Sequence, residues 1–160
     1  MKRSIGILLA LFMLITCIPV ADAADISLPT EQVIYYADGS YAIITTEELP
    51  CFGIDGILSS QASSKSGSKS YTYYENGGTA VWRATLTASF SYNGSSASCT
   101  AANCTVSIFD SAWYVISKSA SRSGNTAAAS VTMGKSQLGV TTKTASCSLS
   151  LSCDANGNLS

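Results

Sequence analysis

The sequence predicts an all-β protein: an antiparallel β-sandwich or small barrel, preceded by an N-terminal β-hairpin and a flexible linker. Three observations carry this. In AVWRATLTASFSY, residues Trp82, Ala84, Leu86, Ala88, Phe90 and Tyr92 alternate with Arg83, Thr85, Thr87, Ser89 and Ser91. A period of two sustained over eleven residues places one face in a core and the other in water. Shorter β-rich runs follow, broken by Gly, Asn and Ser turns, and no convincing amphipathic helical stretch interrupts them.

Residues 1–23 read as a secretory signal peptide. Lys2 and Arg3 precede an apolar run from Ile5 to Ile18, followed by Pro19 and Ala21-Asp22-Ala23, so cleavage is expected after Ala23. The run is shorter than the roughly 20 apolar residues a spanning helix needs, so no transmembrane anchor is expected. Lipoprotein processing at Cys17, within Leu14-Ile15-Thr16-Cys17, is the competing reading. Cleavage leaves 137 residues, enough for one ordinary core, with seven basic and nine acidic side chains. A chain so near neutrality has no field to attract nucleic acid.

Residues 24–48 contain EQVIYYADGSYAIITTE, two β-rich runs joined at Asp38-Gly39, a pair suited to the positive φ angles of a tight hairpin. An isolated hairpin is marginal in water, so this one must pack on something. Residues 49–70 include LSSQASSKSGSKS, whose composition reads as a flexible linker. The sandwich body is expected over 71–160. Turns are expected at Asn76-Gly77-Gly78, Asn93-Gly94-Ser95 and Ser123-Gly124-Asn125, and the alternating set Ala145, Cys147, Leu149, Leu151 and Cys153 shares one face. The alanines at 127–129 favour helix but lack charged partners or length.

Cys51, Cys99, Cys104, Cys147 and Cys153 remain after cleavage, and the chain contains no histidine. Without CxxC pairs an all-thiolate zinc site is disfavoured, and export makes Cys99, Cys104, Cys147 and Cys153 disulfide candidates. The four residues between Cys99 and Cys104 have a common hairpin-loop length, which would set the two cysteines opposite one another. Cys147 and Cys153, six residues apart on one face, stand roughly 20 Å apart and cannot pair with each other. At least one bridge from the 99/104 hairpin to the last strand is favoured over closing the short loop. Cys51 is left as a free or intermolecular thiol.

Catalytic chemistry is sparse. Without histidine there is no Ser-His-Asp or Cys-His constellation and no imidazole metal site. Glu75, Asp110 and Asp154 are the carboxylates available in the body for glycoside chemistry, and each also reads as a strand-end, turn or cap residue. SGSK at 66–69, GKS at 134–136 and DANGN at 154–158 are partial matches to acyl-enzyme, phosphate-loop and calcium-loop patterns, and each lacks a required element or setting. No cofactor is expected. Tyr71, Tyr73, Tyr74, Trp113 and Tyr114 are the aromatic residues able to stack on sugar rings, whereas Trp82, Phe90 and Tyr92 belong to the core set. Residues 24–79 carry a net charge of −5 and residues 80–160 a net +3. Either the acidic segment docks on the basic one, or the basic part favours anionic envelope polymers.

VIYYADGSYAIIT, YNGSSASC, DSAWYVISKSASRSGNTA and the closing CDANGNLS together resemble small secreted proteins of Gram-positive bacteria grouped as a domain of unknown function. The resemblance implies an exported bacterial protein of unassigned activity and carries over no site residue. The expectation is therefore a secreted, non-catalytic sandwich at or outside the cell envelope, with a glycan or wall polymer as partner. A secreted hydrolase using sparse carboxylates and a bacteriocin-like effector are the alternatives.

Overall fold

The computed structural model describes residues 29–50 and 63–160. The export signal, Cys17, Cys51 and residues 51–62 of the expected linker lie outside the described residues. Eight strands follow in order: β1 (Thr30–Tyr35), β2 (Tyr41–Leu49), β3 (Ser63–Tyr74), β4 (Ala80–Tyr92), β5 (Ala97–Ile108), β6 (Trp113–Ser123), β7 (Thr126–Gln137) and β8 (Val140–Ser152). Strands β1 to β5 form one antiparallel sheet and β6 to β8 a second, each strand hydrogen-bonded to its neighbour in sequence. The sheets are open and stacked, so the architecture is a sandwich and not a closed barrel.

The alternation read in β4 sets the core. Trp82, Leu86 and Phe90 are buried from the first sheet, and Val131, Met133 and Leu151 from the second. The outer faces carry hydroxyls: Ser119, Ser130 and Ser148 lie side by side across β6, β7 and β8, as do Ser117, Thr132 and Ser146. Strand β8 packs over β3 and β4, β7 over β4 and β5, and β6 beside β5. The wider sheet therefore overhangs the narrower one along β1 and β2.

Backbone hydrogen bonds and ion pairs tie the layers at both ends. At one end Cys99 N–H donates to the Gly124 carbonyl and Gly94 N–H to the Ala155 carbonyl. Glu75 meets Lys135 at 2.8 Å, and Asp38 meets Lys143 at 2.6 Å. Both ion pairs join the first sheet to the second, each between an acidic residue of the N-terminal half and a lysine of the C-terminal half.

Three expectations are corrected. Ser63–Ser70, expected in the linker, form the first part of β3, which is paired on both sides, to β2 and β4. Cross-strand ladders override the weak β-propensity of Ser, Gly and Lys. The N-terminal hairpin, with its turn at Asp38-Gly39, is not a separate appendage, because β2 pairs with β3 along its whole length and extends the sheet. Residues 99–104 are not a hairpin loop: they run through the middle of the continuous strand β5.

In β5 an odd spacing of five residues would place Cys99 and Cys104 on opposite faces. The register shifts opposite Ser89 and Phe90, however, where Ala101 pairs with Ser89 and Cys99 with Phe90. Thr100 is the extra residue of a β-bulge, and both cysteines consequently face inward.

Candidate functional site

Where the first sheet overhangs β8, a cleft of about 430 Å³ opens between the β1–β2 turn, β3 and β8. This volume falls within the roughly 300–1,000 Å³ typical of small-molecule sites. Its floor is aromatic. Tyr71 and Tyr73, two residues apart on β3, point to the same face and stack on Trp82 with ring centroids 5.2 and 5.5 Å away. Trp113 meets Tyr73 edge-on at 5.6 Å from the second sheet. Tyr36 closes one side, its hydroxyl 2.7 Å from that of Tyr71 and its ring 6.1 Å from Tyr73.

The β1–β2 turn supplies the polar rim. Gly39 adopts φ 81°, and the Asp38 Oδ1 accepts from the Ser40 N–H at 3.0 Å and from the Ser40 hydroxyl at 2.5 Å. Its other oxygen accepts from Lys143 Nζ at 2.6 Å. Lys143, on β8, lies 5.5 Å above the centroid of Tyr73, a cation–π contact. The Lys143 hydrogen bond, joined by those from Ser40, holds the Asp38 carboxyl well below the usual carboxylate range. Burial acts to lower the Lys143 ammonium, but the bonds to Asp38 and Tyr73 outweigh it and leave its pKa raised. Desolvation, reinforced by Tyr36, keeps the Tyr71 phenol protonated.

Farther along the same overhang lies a second cavity of about 240 Å³, lined by Thr30 and Gln32 of β1, Ile44 and Thr46 of β2, Lys69 of β3 and the terminal Leu159–Ser160. Ile44 pairs with Tyr71 and Thr46 with Lys69, so the two cavities follow one another along the inner face of the first sheet.

The five aromatic residues read from the sequence are scattered by the fold. Tyr71, Tyr73 and Trp113 are buried, with exposures of 4, 2 and 2 %. Tyr71 and Tyr73 therefore line the cleft but offer no open surface platform, and Trp113 packs behind it. Tyr74 stacks on Tyr41 at 4.6 Å, on the opposite face of β3 from Tyr71 and Tyr73. Tyr114 is exposed, covers Gly134 on the outside of the second sheet and bonds through its hydroxyl to Thr141. Tyr36, Asp38 and Lys143 were missed. Asp38 was read only as a turn former, although the charge asymmetry pointed to it and to Lys143.

The cysteines are likewise corrected. Cys99, Cys104, Cys147 and Cys153 are free, buried thiols in the structure, and none is bridged. With β5 continuous, Cys99 and Cys104 stand roughly 17 Å apart along the strand, beyond the roughly 7 Å Cα limit for a bridge. Burial pushes the Cys147 thiol up to about 12, with nearby Cys104 adding to the rise, and burial also raises Cys99, Cys104 and Cys153.

The carboxylates considered for hydrolysis have other work. Glu75 is paired with Lys135, Asp110 accepts from the Ala112 N–H, and Asp154 accepts from Asn156 and Asn158 in the terminal turn. Asp38 is the carboxylate that lines the cleft. Among the described residues, no group of three His, Cys, Asp or Glu is placed to hold a metal ion, and no helix is long and apolar enough to cross a membrane. In comparisons with known proteins, no family model, no curated protein and no solved structure matches the chain.

Proposed function

We propose that this is an exported, non-catalytic β-sandwich that binds a glycan or wall polymer at or outside the cell envelope, through the tyrosine-lined cleft. One observation carries the reading: a half-open cavity in which Tyr36, Tyr71 and Tyr73 adjoin a rim of Asp38, Ser40, Lys143 and Ser146. Sugar rings pair an apolar face with equatorial hydroxyls, and a site of aromatic carbon bordered by a few fixed polar groups matches that chemistry. The signal-like N-terminus and the resemblance to small secreted proteins support the extracellular setting.

Tyr36 is the residue to test, because at 39 % exposure it can be truncated without emptying the core. In calorimetric titrations against neutral and acidic oligosaccharides and purified wall polymer, Tyr36→Ala is expected to weaken binding by roughly tenfold. Tyr114→Ala, on the outside of the other sheet, should bind as wild type. If wild type bound no saccharide, or Tyr36→Ala bound equally well, the proposal would fail.

A further inference from the structure

Resting on that reading, we infer that the ligand is an acidic saccharide chain, lying along the overhang with its anionic groups held between Lys143 and Lys69.

The overhang has direction and charge. The tyrosine cleft and the cavity around Lys69 follow one another along it, on the same face of β3. Tyr73, which underlies the Lys143 ammonium, is four residues from Lys69 on β3, roughly 13 Å along an extended strand. That span suits a run of a few sugar units better than a single ring. Of the charged side chains lining the two cavities, Lys143 and Lys69 are cationic and Asp38 is anionic.

The two lysines differ in what they already hold. Among the described residues, Lys69 forms no ion pair within 4.0 Å, although Lys65, Lys135 and Lys143 each have one. An inward-facing ammonium beside Thr30, Gln32 and Thr46 is a ready partner for a ligand anion. Lys143 is occupied by Asp38, whose carboxylate marks where a ligand anion would sit. Asp38 is pinned to its own turn by two bonds from Ser40, whereas the Lys143 ammonium rides on a four-carbon stem. A ligand carboxylate or phosphate therefore draws the lysine head away from Asp38 while the stem stays over Tyr73. Asp38 acts as a built-in competitor that lowers affinity for acidic chains relative to neutral ones.

The test is a titration of oligogalacturonate and of a neutral galacto-oligosaccharide of equal length, at low and high salt. Wild type is expected to prefer the acidic chain, and the preference should shrink as salt rises. Relative to the neutral chain, Asp38→Asn should tighten the acidic chain roughly fivefold, and Lys69→Gln should weaken it by a similar factor. Lys143→Met combined with Lys69→Gln should abolish the preference, with melting temperatures verifying that each variant is folded. Equal binding of the two chains by wild type, or variants that change both alike, would overturn the acidic-ligand inference and leave glycan binding standing. Failure of wild type to bind either chain would overturn both.

Discussion

The two ends of the sandwich are built differently. At one end Trp82, Trp113, Tyr71 and Tyr73 crowd together, and the buried indole nitrogens of Trp82 and Trp113 have no hydrogen-bond partner among the described residues. An unsatisfied buried donor costs about 1–3 kcal/mol, so this end forgoes some stability. At the other, Phe90, Leu151, Ala127 and the thiols of Cys99 and Cys153 pack without such atoms, and the backbone bonds of Cys99 to Gly124 and of Gly94 to Ala155 close the layers. The cleft opens at the aromatic end. The contrast shows a division of labour within one core: one end is packed for closure, the other tolerates polar atoms around a cavity.

The largest expected effects test that division directly. Trp82→Ala removes a fully buried ring and the stacking partner of both floor tyrosines, and should cost roughly 3–5 kcal/mol. Leu151→Ala, equally buried at the closed end, should cost roughly 2–4 kcal/mol. Urea unfolding measures both. Only the tryptophan variant should also lose saccharide affinity at temperatures where it remains folded; equal losses of affinity would erase the distinction.

A smaller effect comes from the thiols. The folded pKa of Cys147, about 12, lies above its ordinary 9.0, so the contribution of its neutral form is complete below pH 9 and is lost as pH rises toward 12. Unfolding midpoints should therefore fall over that window, and Cys147→Ala, less stable at pH 7, should show a shallower decline. The smallest effect concerns the turn between β7 and β8, at the aromatic end. There Leu138 holds φ 53° and is 99 % exposed, while at the closed end the β6–β7 turn uses Gly124 at φ 56°. Leu138→Gly should raise stability by up to about 1 kcal/mol, read as a small increase in melting temperature.

The strands were legible where alternation was chemically sharp. β4 pairs large apolar residues with hydroxyls, and its inward set is buried from Trp82 to Phe90, with Tyr92 half-buried at the strand's end. β3 was half missed, because Ser64, Ser66, Ser68 and Ser70 alternate with Lys65, Gly67 and Lys69, a period of two without the hydrophobic contrast that advertises it. Gly67 faces inward because Leu151 and Leu159 occupy the space a side chain would need, which no local pattern reveals. Cys99 and Cys104 were misplaced for the opposite reason: their spacing imitated a loop, and a bulge is encoded by the neighbouring strand as much as by its own. The cleft was partly visible, since Tyr71 and Tyr73 were chosen as sugar contacts. Its rim was not, because Asp38 and Lys143 are separated by 105 positions and meet only through the stacking of the sheets.

Thr100 has a consequence beyond its own position. A pleated chain keeps a binary count, and this one residue resets the parity between the two parts of β5. Were Thr100 paired regularly with Phe90 instead of bulged out, the segment before it would be turned over: Cys99 would oppose Ser91 with its sulfur in bulk solvent, and Ser98 would press its hydroxyl inward opposite Tyr92. The inertness of that thiol is thus an arithmetic property of the strand, kept by a residue that is itself exposed.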